Sequence, residues 1–282
     1  VVSSITSSDT GETWTGTFTP TADLAADTSN TCDVGTGYTD DAGNTGSAGQ
    51  SANYNVDTEA PSVSSISFDD TAMKAGDTPT LTLTFNEAVV GFASADDVSC
   101  PSGSLATMTT ANGGVTWTGT FTPTVDTEDS SNVCTLANTY TDVNGNSGPS
   151  TTTANYAVET LAPSVNSISM SDTALKVGDT STLTIVFSEA VAGFASDNDV
   201  TCPSGSLAAM TSGDSITWSG TFTPSGATDD DTNTCAVTAN SYTDAAGNNG
   251  GAATSANYDV DTVAPTVSSI ALSDTNIIAG ET

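Results

Sequence analysis

One spacing organises the whole chain. Equivalent residues return every 102 positions in a proline series and a glycine series: Pro61, Pro163 and Pro265; Gly43, Gly145 and Gly247. The two lysines, Lys74 and Lys176, also share one position of this period. Such a period is longer than a solenoid or propeller unit and matches one complete β-sandwich domain. The sequence therefore predicts tandem copies of a single domain.

The pattern inside each period favours antiparallel sheets. Thr80–Phe85 alternates threonines with apolar residues, and Val115–Thr122 does the same, which is typical of a sheet with one wet face. We also predict strands at Ser62–Phe68, Asn132–Tyr140 and Thr152–Val158, with a turn at Asp69–Asp77 and no amphipathic helix. About seven short strands per period indicate an all-β fold of tandem immunoglobulin-like antiparallel sandwiches joined head to tail.

The period sets the domain limits. Residues 60–160 and 162–262 each form a complete repeat, whereas residues 1–57 are the C-terminal half of a repeat and residues 263–282 the first strand and turn of another. Neither end piece is expected to bury a core alone, so we expect the array to continue on both sides. The alternative is strand exchange between identical subunits of a filament. The strand equivalent to Thr80–Phe85 is missing from both pieces, which favours continuation.

Charge narrows the possible partners. The chain has 34 acidic residues, two lysines, no arginine and no histidine, for a net charge of −32. Such a surface excludes nucleic-acid binding, which needs many basic contacts, and disfavours an anionic membrane. Calcium, which prefers oxygen ligands, is the natural partner, although many carboxylates also suit a protein in salty water. Hydrophobic residues make up 36% and alternate regularly, so disorder does not explain the charge.

The composition does not support an enzyme. A nucleophile needs a partner base, and the chain has no histidine, while both lysines lie in the predicted turn. Paired carboxylates of the glycosidase kind occur here only as chance matches among many acids, with no sign of a cleft. We find no apolar run long enough to span a bilayer.

Five cysteines point to disulfides. Cys100 and Cys134 are 34 residues apart, and Cys202 and Cys235 are 33 apart at equivalent positions, so each pair is predicted to form a bridge. Disulfides indicate an oxidising, extracellular compartment. Without histidine or a C-x-x-C spacing a zinc site is not expected. Cys32 matches Cys134, and its own partner would fall before residue 1. Free buried thiols and a link between chains through Cys32 are the alternatives.

Three groups of oxygen-bearing residues recur and suggest interdomain calcium. They lie in the linker, in the loop before the last strand and in the loop after the second strand: Asp57, Glu159 and Asp261; Asp40 with Asn44, Asp142 with Asn146 and Asp244 with Asn248; Glu87 and Glu189. In a sandwich of this type these loops share the end where the linker enters. We therefore expect Asp57, Glu87 and Asp142 to converge. Glu159, Glu189 and Asp244 should do the same. The D-x-x-G-N pattern is also a good turn sequence, which is the alternative.

Other repeated residues have weaker claims. A second acidic group at the opposite end provides further candidate calcium ligands: Asp70, Asp172, Asp274, Asp229, Asp230 and Asp231. We predict that the tryptophans of the W-x-G-x-F pattern belong to the core: Trp14, Trp117 and Trp218. A polysaccharide-binding module would need exposed aromatics, and the repeated tyrosines are expected instead to seal the core edge: Tyr54, Tyr156 and Tyr258.

Three segments resemble a known family. Ser171–Val191, Tyr242–Asn248 and the linker at Asp261–Pro265 are similar to the bacterial Ig-like (Big-type) tandem repeats of large secreted surface adhesins and biofilm-associated proteins. The resemblance implies an extracellular stalk, often stiffened by calcium between domains, whose partners are neighbouring repeats of the same chain or identical subunits. Such stalk repeats commonly lack cysteine, so the paired cysteines keep a dedicated fibre protein as an alternative.

Overall fold

The computed structural model describes residues 1–273, 275, 276 and 278–280. The chain divides into two compact units, Val1–Glu159 and Thr160–Thr282. Strands of the first unit before the first complete repeat are Thr6–Ser7, Trp14–Thr15, Asp27–Asn30, Asp33–Val34, Gly49–Gln50 and Tyr54–Val56. Within the described residues, no helix is long and apolar enough to cross a membrane.

The first complete repeat is a two-layer sandwich. One layer, the main sheet, has the antiparallel order Gly103–Leu105, Thr116–Pro123, Thr80–Phe85 and Val63–Phe68, and Thr109–Thr110 also pairs with Thr116–Pro123. The other layer consists of three small sheets: Glu128–Asn132, Tyr156–Glu159 and Ala72–Lys74; Val98–Ser99, Thr135–Leu136 and Thr151–Thr152; Val89–Val90 and Thr141–Asp142.

The second complete repeat has the same arrangement. Its main sheet has the order Val165–Met170, Ser181–Phe187, Thr217–Pro224 and Gly205–Leu207, with Thr211–Ser212 paired to Thr217–Pro224. The opposite layer contains two small sheets: Ala174–Leu175, Tyr258–Asp261 and Asp229–Asn233; Val200–Thr201, Ala236–Val237 and Ala253–Thr254. The immunoglobulin-like sandwich predicted from the period is therefore present in both repeats.

Alternation in the main sheet builds the core. Thr80–Phe85 has the strand bounds that were predicted, and its leucines and phenylalanine are buried while its threonines are only partly so. Phe68 and Phe121 pack against Tyr156 with ring centroids 5.0 and 5.6 Å apart, which joins the two layers. Burying a side chain of this size stabilises the fold by about 1.5–3 kcal/mol.

The predicted turn at Asp69–Asp77 is wrong in one respect, because it contains the strand Ala72–Lys74. That strand pairs in parallel with Tyr156–Glu159 and places Met73 in the core. Lys74 N–H donates to the Asp77 carboxylate at 2.8 Å, and the Lys74 ammonium forms an ion pair with it at 3.0 Å. Three residues, of which Met73 alone is buried, are too few to display an alternation, and the partner strand lies far along the chain, so local pattern could not show this strand.

Two other predicted strands are interrupted. Asn132–Tyr140 is replaced by Glu128–Asn132 and Thr135–Leu136, and Thr152–Val158 by Thr151–Thr152 and Tyr156–Glu159. The first pairing shifts register between Asp129 and Asn132, which is a bulge that the alternation did not indicate. Short helices at Ser94–Asp97 and Ser196–Asp199 were not predicted, since four residues are too few to display a helical period.

The end pieces behave differently from the complete repeats. Residues 1–57 form short strands but bury no residue, and Trp14 is 58% exposed. The prediction that the tryptophans belong to the core is therefore wrong for Trp14. Trp117 is partly buried because it packs against Phe92. The residue equivalent to Phe92 in the copy that contains Trp14 would precede residue 1. The described part of 263–282 forms no strand, so the strand predicted there is also absent. Its equivalent Val165–Met170 is a strand because it pairs with Ser181–Phe187.

Candidate functional site

The linker ahead of the first complete repeat is held at a loop of that repeat. We call Asp142–Asn146 the joint loop. Asn144 Nδ2 donates a hydrogen bond to Oδ2 of Asp57, and Asn146 Nδ2 donates to the Asp57 carbonyl at 3.3 Å. On its other side the linker is tied to Leu24, whose carbonyl accepts the N–H groups of Thr58 and Glu59 at 2.9 and 3.0 Å. The linker is therefore fixed from both sides by hydrogen bonds to groups that carry no charge of their own, the Leu24 carbonyl and the two asparagine amides.

The joint loop is shaped by its first residue. The Asp142 carboxylate accepts the backbone N–H groups of Asn144 and Asn146 at 2.8 and 2.9 Å, and Asn146 Nδ2 at 2.7 Å. Gly145 lies at φ 94°, a conformation that glycine adopts without strain. Asp142 is fully buried, so these donors take the place of water around its charge.

The same capped turn recurs in the other copies. Asp40 accepts the backbone and side-chain N–H groups of Asn44, both at 2.8 Å, and Asp244 accepts those of Asn248 at 2.9 and 2.8 Å. The turn interpretation of the D-x-x-G-N pattern therefore explains why Asp and Asn recur there. Asp244 and Asn248 are buried like Asp142, whereas Asp40 is exposed.

The structure brings Asp57, Glu87 and Asp142 into one neighbourhood with opposite electrostatic results. Burial raises the pKa of Glu87, and the nearby carboxylates of Asp142, Asp57 and Glu59 raise it further. Burial also acts to raise the pKa of Asp142, but its hydrogen bonds from Asn146 and the loop backbone outweigh this effect and leave it lowered. Asp142 is thus a satisfied charge, and Glu87 is a repelled one.

We expect Glu87→Gln to stabilise the chain at neutral pH by a few tenths to about 1 kcal/mol, since it removes a partly exposed like-charge contact. Because folding raises the Glu87 pKa, the ionised side chain opposes folding at neutral pH, and the penalty fades as pH falls through that raised pKa. Urea unfolding between neutral pH and about pH 4.5 should show the advantage of the variant shrinking. The exposed Glu12→Gln is the matched control, and an equal gain there would contradict the assignment.

The donor set at the joint does not form a closed metal cage. Within the part of the chain that the structure describes, no group of three or more His, Cys, Asp and Glu side chains is placed to hold a metal ion. The Asp142 carboxylate is already occupied by three N–H donors, and one Asp57 oxygen by Asn144. Glu159, Glu189 and Asp244 are divided between the two units, so their convergence stays a prediction. Asp261 caps the N–H of Val263 at 3.0 Å.

The second acidic group serves mainly as turn caps. Asp70 and Asp172 each accept an N–H two residues ahead, at 2.9 and 3.0 Å. Asp230 accepts the Ser204 hydroxyl at 2.8 Å, which lowers its pKa together with the N–H of Thr232. Asp274 lies outside the described residues. These contacts give the group a structural role, and calcium at this end stays a prediction.

Both predicted disulfides are confirmed, as Cys100–Cys134 and Cys202–Cys235. Cys134 is fully buried, and its N–H donates to Thr153 Oγ1 at 3.0 Å, so the bridge joins the core to the loop after Val98–Ser99. Cys32 is an exposed free thiol that donates to the Tyr54 hydroxyl at 3.8 Å.

For Tyr156 and Tyr258 the prediction of a place at the core edge is wrong, whereas Tyr54 is only partly buried. Tyr156 and Tyr258 are almost completely buried, and their hydroxyls donate to the carbonyls of Pro101 and Pro203. Burial raises the pKa of each to about 12, with a smaller contribution from a nearby aspartate. Neither of these two rings is available to stack on a sugar, which removes two of the three residues on which the polysaccharide-binding alternative depended.

A polar network beside each disulfide was missed from the sequence. The Ser102 hydroxyl lies 2.8 Å from both Asp129 Oδ2 and Asn132 Oδ1, and it spans the bulge in the strand. In the second repeat Ser204 keeps the aspartate contact, while the buried Oδ1 of Asn233 has no partner among the described residues. The D-x-x-N spacing that recurs at Asp27, Asp129 and Asp230 was the available signal.

Of the comparisons with known proteins, the match to a family model decides the family. No curated protein matches the sequence. Among solved structures, the chain is similar to FdeC, an Escherichia coli adhesin, at 14% identity over 88% of this chain and 90% of that one, with a TM-score of 0.34. It is also similar to the N-terminal part of the bacterial S-layer protein SbsC, at 15% identity over 71% and 44% of the two chains, with a TM-score of 0.23.

The titin fragment A168169 matches at 13% identity over 73% of this chain and all of the fragment, with a TM-score of 0.26. Superpositions at these TM-scores carry no argument about function. The model of the bacterial Ig-like domain, in contrast, matches the chain in three consecutive segments, residues 1–56, 57–158 and 159–260, which begin slightly before the limits predicted from the period. The chain therefore belongs to the bacterial Ig-like domain family, with three tandem copies of the domain.

Proposed function

We propose that this chain is an extracellular structural segment, the stalk or fibre of a bacterial-type surface adhesin, without catalytic activity. The observation that carries the proposal is the fixed linker between consecutive repeats, held by Leu24 on one side and by Asn144 and Asn146 on the other. A segment that only separates two domains has no need of such contacts, whereas a rod needs each joint held at one angle.

Two further features support an extracellular rod. Each complete repeat carries a disulfide, and disulfides persist in oxidising compartments. Pro61 follows the linker and is buried, which restricts the backbone where the next sandwich begins. The excess of carboxylates keeps such a rod soluble and discourages side-by-side association.

Calcium enters this proposal as a prediction that rests on charge. Glu87 lies near three other carboxylates and has a raised pKa, so a bound cation would remove a repulsion that the amide donors leave in place. Asp57, Glu87 and oxygens of the joint loop are the residues that would hold it at this joint. The occupied carboxylate of Asp142 argues for a site with few protein ligands and several waters.

We expect calcium to raise the melting temperature of the chain by several degrees more than sodium chloride at equal ionic strength. Asp57→Asn and Glu87→Gln should each remove part of that increment, because both delete a carboxylate of the joint. Asp214→Asn, which changes an exposed turn cap in neither acidic group, should not. Equal effects of calcium and sodium would remove calcium from the mechanism and leave the amide contacts as the joint.

Small-angle scattering tests the stalk itself. A rod fixed at its joints keeps a single maximum dimension, and Asn144→Ala combined with Asn146→Ala should shorten its average by allowing bending at Asp57. An unchanged scattering curve for the double variant would count against the linker contacts as the source of stiffness.

The homopolymeric filament stays the alternative function. A strand donated between separate polypeptides in a fibre map would establish it, and one continuous chain through the fibre would reject it.

A further inference from the structure

We propose that Asn144 is a deamidation site and that its conversion releases the linker from the joint loop. The inference goes beyond the proposed function, since its chemistry depends only on the asparagine and its neighbours. Three asparagines precede a glycine, the context in which the following backbone nitrogen meets least steric hindrance: Asn112, Asn144 and Asn249.

The reaction needs only water. The Gly145 backbone nitrogen attacks Cγ of Asn144 and forms a succinimide ring. The Cγ–Nδ2 bond breaks, and the amide proton of Gly145 ends on the departing ammonia. Water then opens the ring to leave either aspartate or isoaspartate at position 144. No oxidant, reductant or enzyme is required.

The local structure favours Asn144 over Asn249. Asn144 and Gly145 are both exposed, and the Gly145 N–H donates to the Asp142 carbonyl at 3.3 Å, beyond the usual range for such a bond. Gly250 is buried instead, its N–H donates to the Tyr242 carbonyl at 2.9 Å, and the Tyr242 ring fills the space beside its Cα. The nitrogen that must move is therefore weakly held at the first site and firmly held at the second.

Asn112 is an internal comparison. Its side-chain carbonyl accepts the N–H of Thr116 at 2.8 Å, and its Nδ2 donates to the Thr116 hydroxyl at 3.1 Å. Asn112 and Gly113 are both exposed, so this site is open to the same chemistry. Its amide holds a hairpin turn and no part of the linker, so conversion there leaves the joint unchanged.

Conversion at Asn144 replaces an attractive contact with the linker by a repulsive one. The amide that donates to Asp57 becomes a carboxylate facing a carboxylate, beside Glu87, whose pKa already reflects repulsion from Asp57 and Asp142. The contact from Asn146 to the Asp57 carbonyl, at 3.3 Å, is then the remaining tie. The other two copies have Ala42 and Ala246 at this position, so loss of this contact by deamidation is specific to the joint at Asp57.

The test ages the full chain at mildly alkaline pH and physiological temperature and maps its peptides by mass. We expect the amide-to-acid mass gain at Asn144 and none at Asn249. Hydrogen exchange at Thr58 and Glu59 should become about tenfold faster in the aged protein and in fresh Asn144→Asp, the effect of losing one charge-assisted hydrogen bond. Aged Asn144→Gln, which keeps an amide donor and forms the cyclic imide far more slowly, should keep slow exchange, and Asn144→Ala should lie between.

Two results would overturn the inference. Asn144 staying intact while Asn112 converts would show that the joint loop protects its amide. Linker exchange in Asn144→Asp equal to that of the unaged chain would show that the contact does not hold the linker. Neither result depends on whether the chain acts as a stalk, because scattering of the fresh protein tests that separately.

Discussion

Replacing Cys100 and Cys134 with alanine is expected to lower the free energy of unfolding of the first complete repeat by about 4 kcal/mol. The bridge closes a loop with a sequence separation of 34, and the chain-entropy model gives roughly 3–4 kcal/mol for a loop of that size. The buried position of Cys134 adds a small loss of packing. Whole domains commonly have only about 5–15 kcal/mol of stability, so this loss is a large fraction of the total. We expect no other double substitution outside the aromatic core to lower the free energy of unfolding more.

The chain contains its own control for this experiment. The equivalent change at Cys202 and Cys235 should destabilise the second repeat and leave the first transition in place, because each bridge lies within one repeat. Calorimetry of the full chain separates the two transitions if one is shifted. A loss below about 1 kcal/mol would mean that the bulge network of Ser102, Asp129 and Asn132 alone keeps this region folded.

We expect Asp142→Asn to cost about 3 kcal/mol. The substitution preserves shape but sets an amide against three N–H donors in a fully buried position, and hydrogen bonds to a charged group are each worth about 1.5–3 kcal/mol without being additive. The matched control is Asp40→Asn, where the same Asn contacts occur on an exposed carboxylate, and it should cost clearly less than Asp142→Asn because water screens the charge. Equal losses at both positions would show that burial does not set the effect.

The pH dependence gives this prediction a second measurement. Hydrogen bonding lowers the Asp142 pKa below its ordinary value of 3.8, so the ionised group stabilises the fold above the unfolded pKa. That contribution is lost as pH falls through the lower folded pKa. Asp142→Asn has no such contribution, and the stability gap between it and the unchanged chain should therefore narrow below about pH 4. A constant gap would contradict the lowered pKa.

The sequence pattern predicted the features that depend on local residue order or on exact repetition. Thr80–Phe85 was predicted to its ends because every second residue is apolar and the pleat turns these to one side. The disulfides followed from equivalent spacing in two copies. The approach of Asp57 to the joint loop followed from the known ends of a sandwich, since linker and loop must share one pole.

Features that depend on distant partners were out of reach. Ala72–Lys74 is a strand only because Tyr156–Glu159 lies beside it. Three residues are too few to display the two-residue alternation by which a strand is predicted. Asn144 was overlooked because its position is alanine in the other copies, so repetition, the main guide to sites here, gave no signal. The tyrosines were placed at the core edge because a hydroxyl suggests water, whereas a proline carbonyl satisfies Tyr156 inside the core.

The parallel pairing of Ala72–Lys74 with Tyr156–Glu159 has a mechanical consequence. One strand lies close after the point where the chain enters the sandwich, and the other ends where the chain leaves it. A pull on the two ends of the repeat therefore slides these strands past each other along their length. Sliding loads all the ladder hydrogen bonds at once, while peeling would break them singly, so this short pair resists tension on the repeat with its whole ladder together.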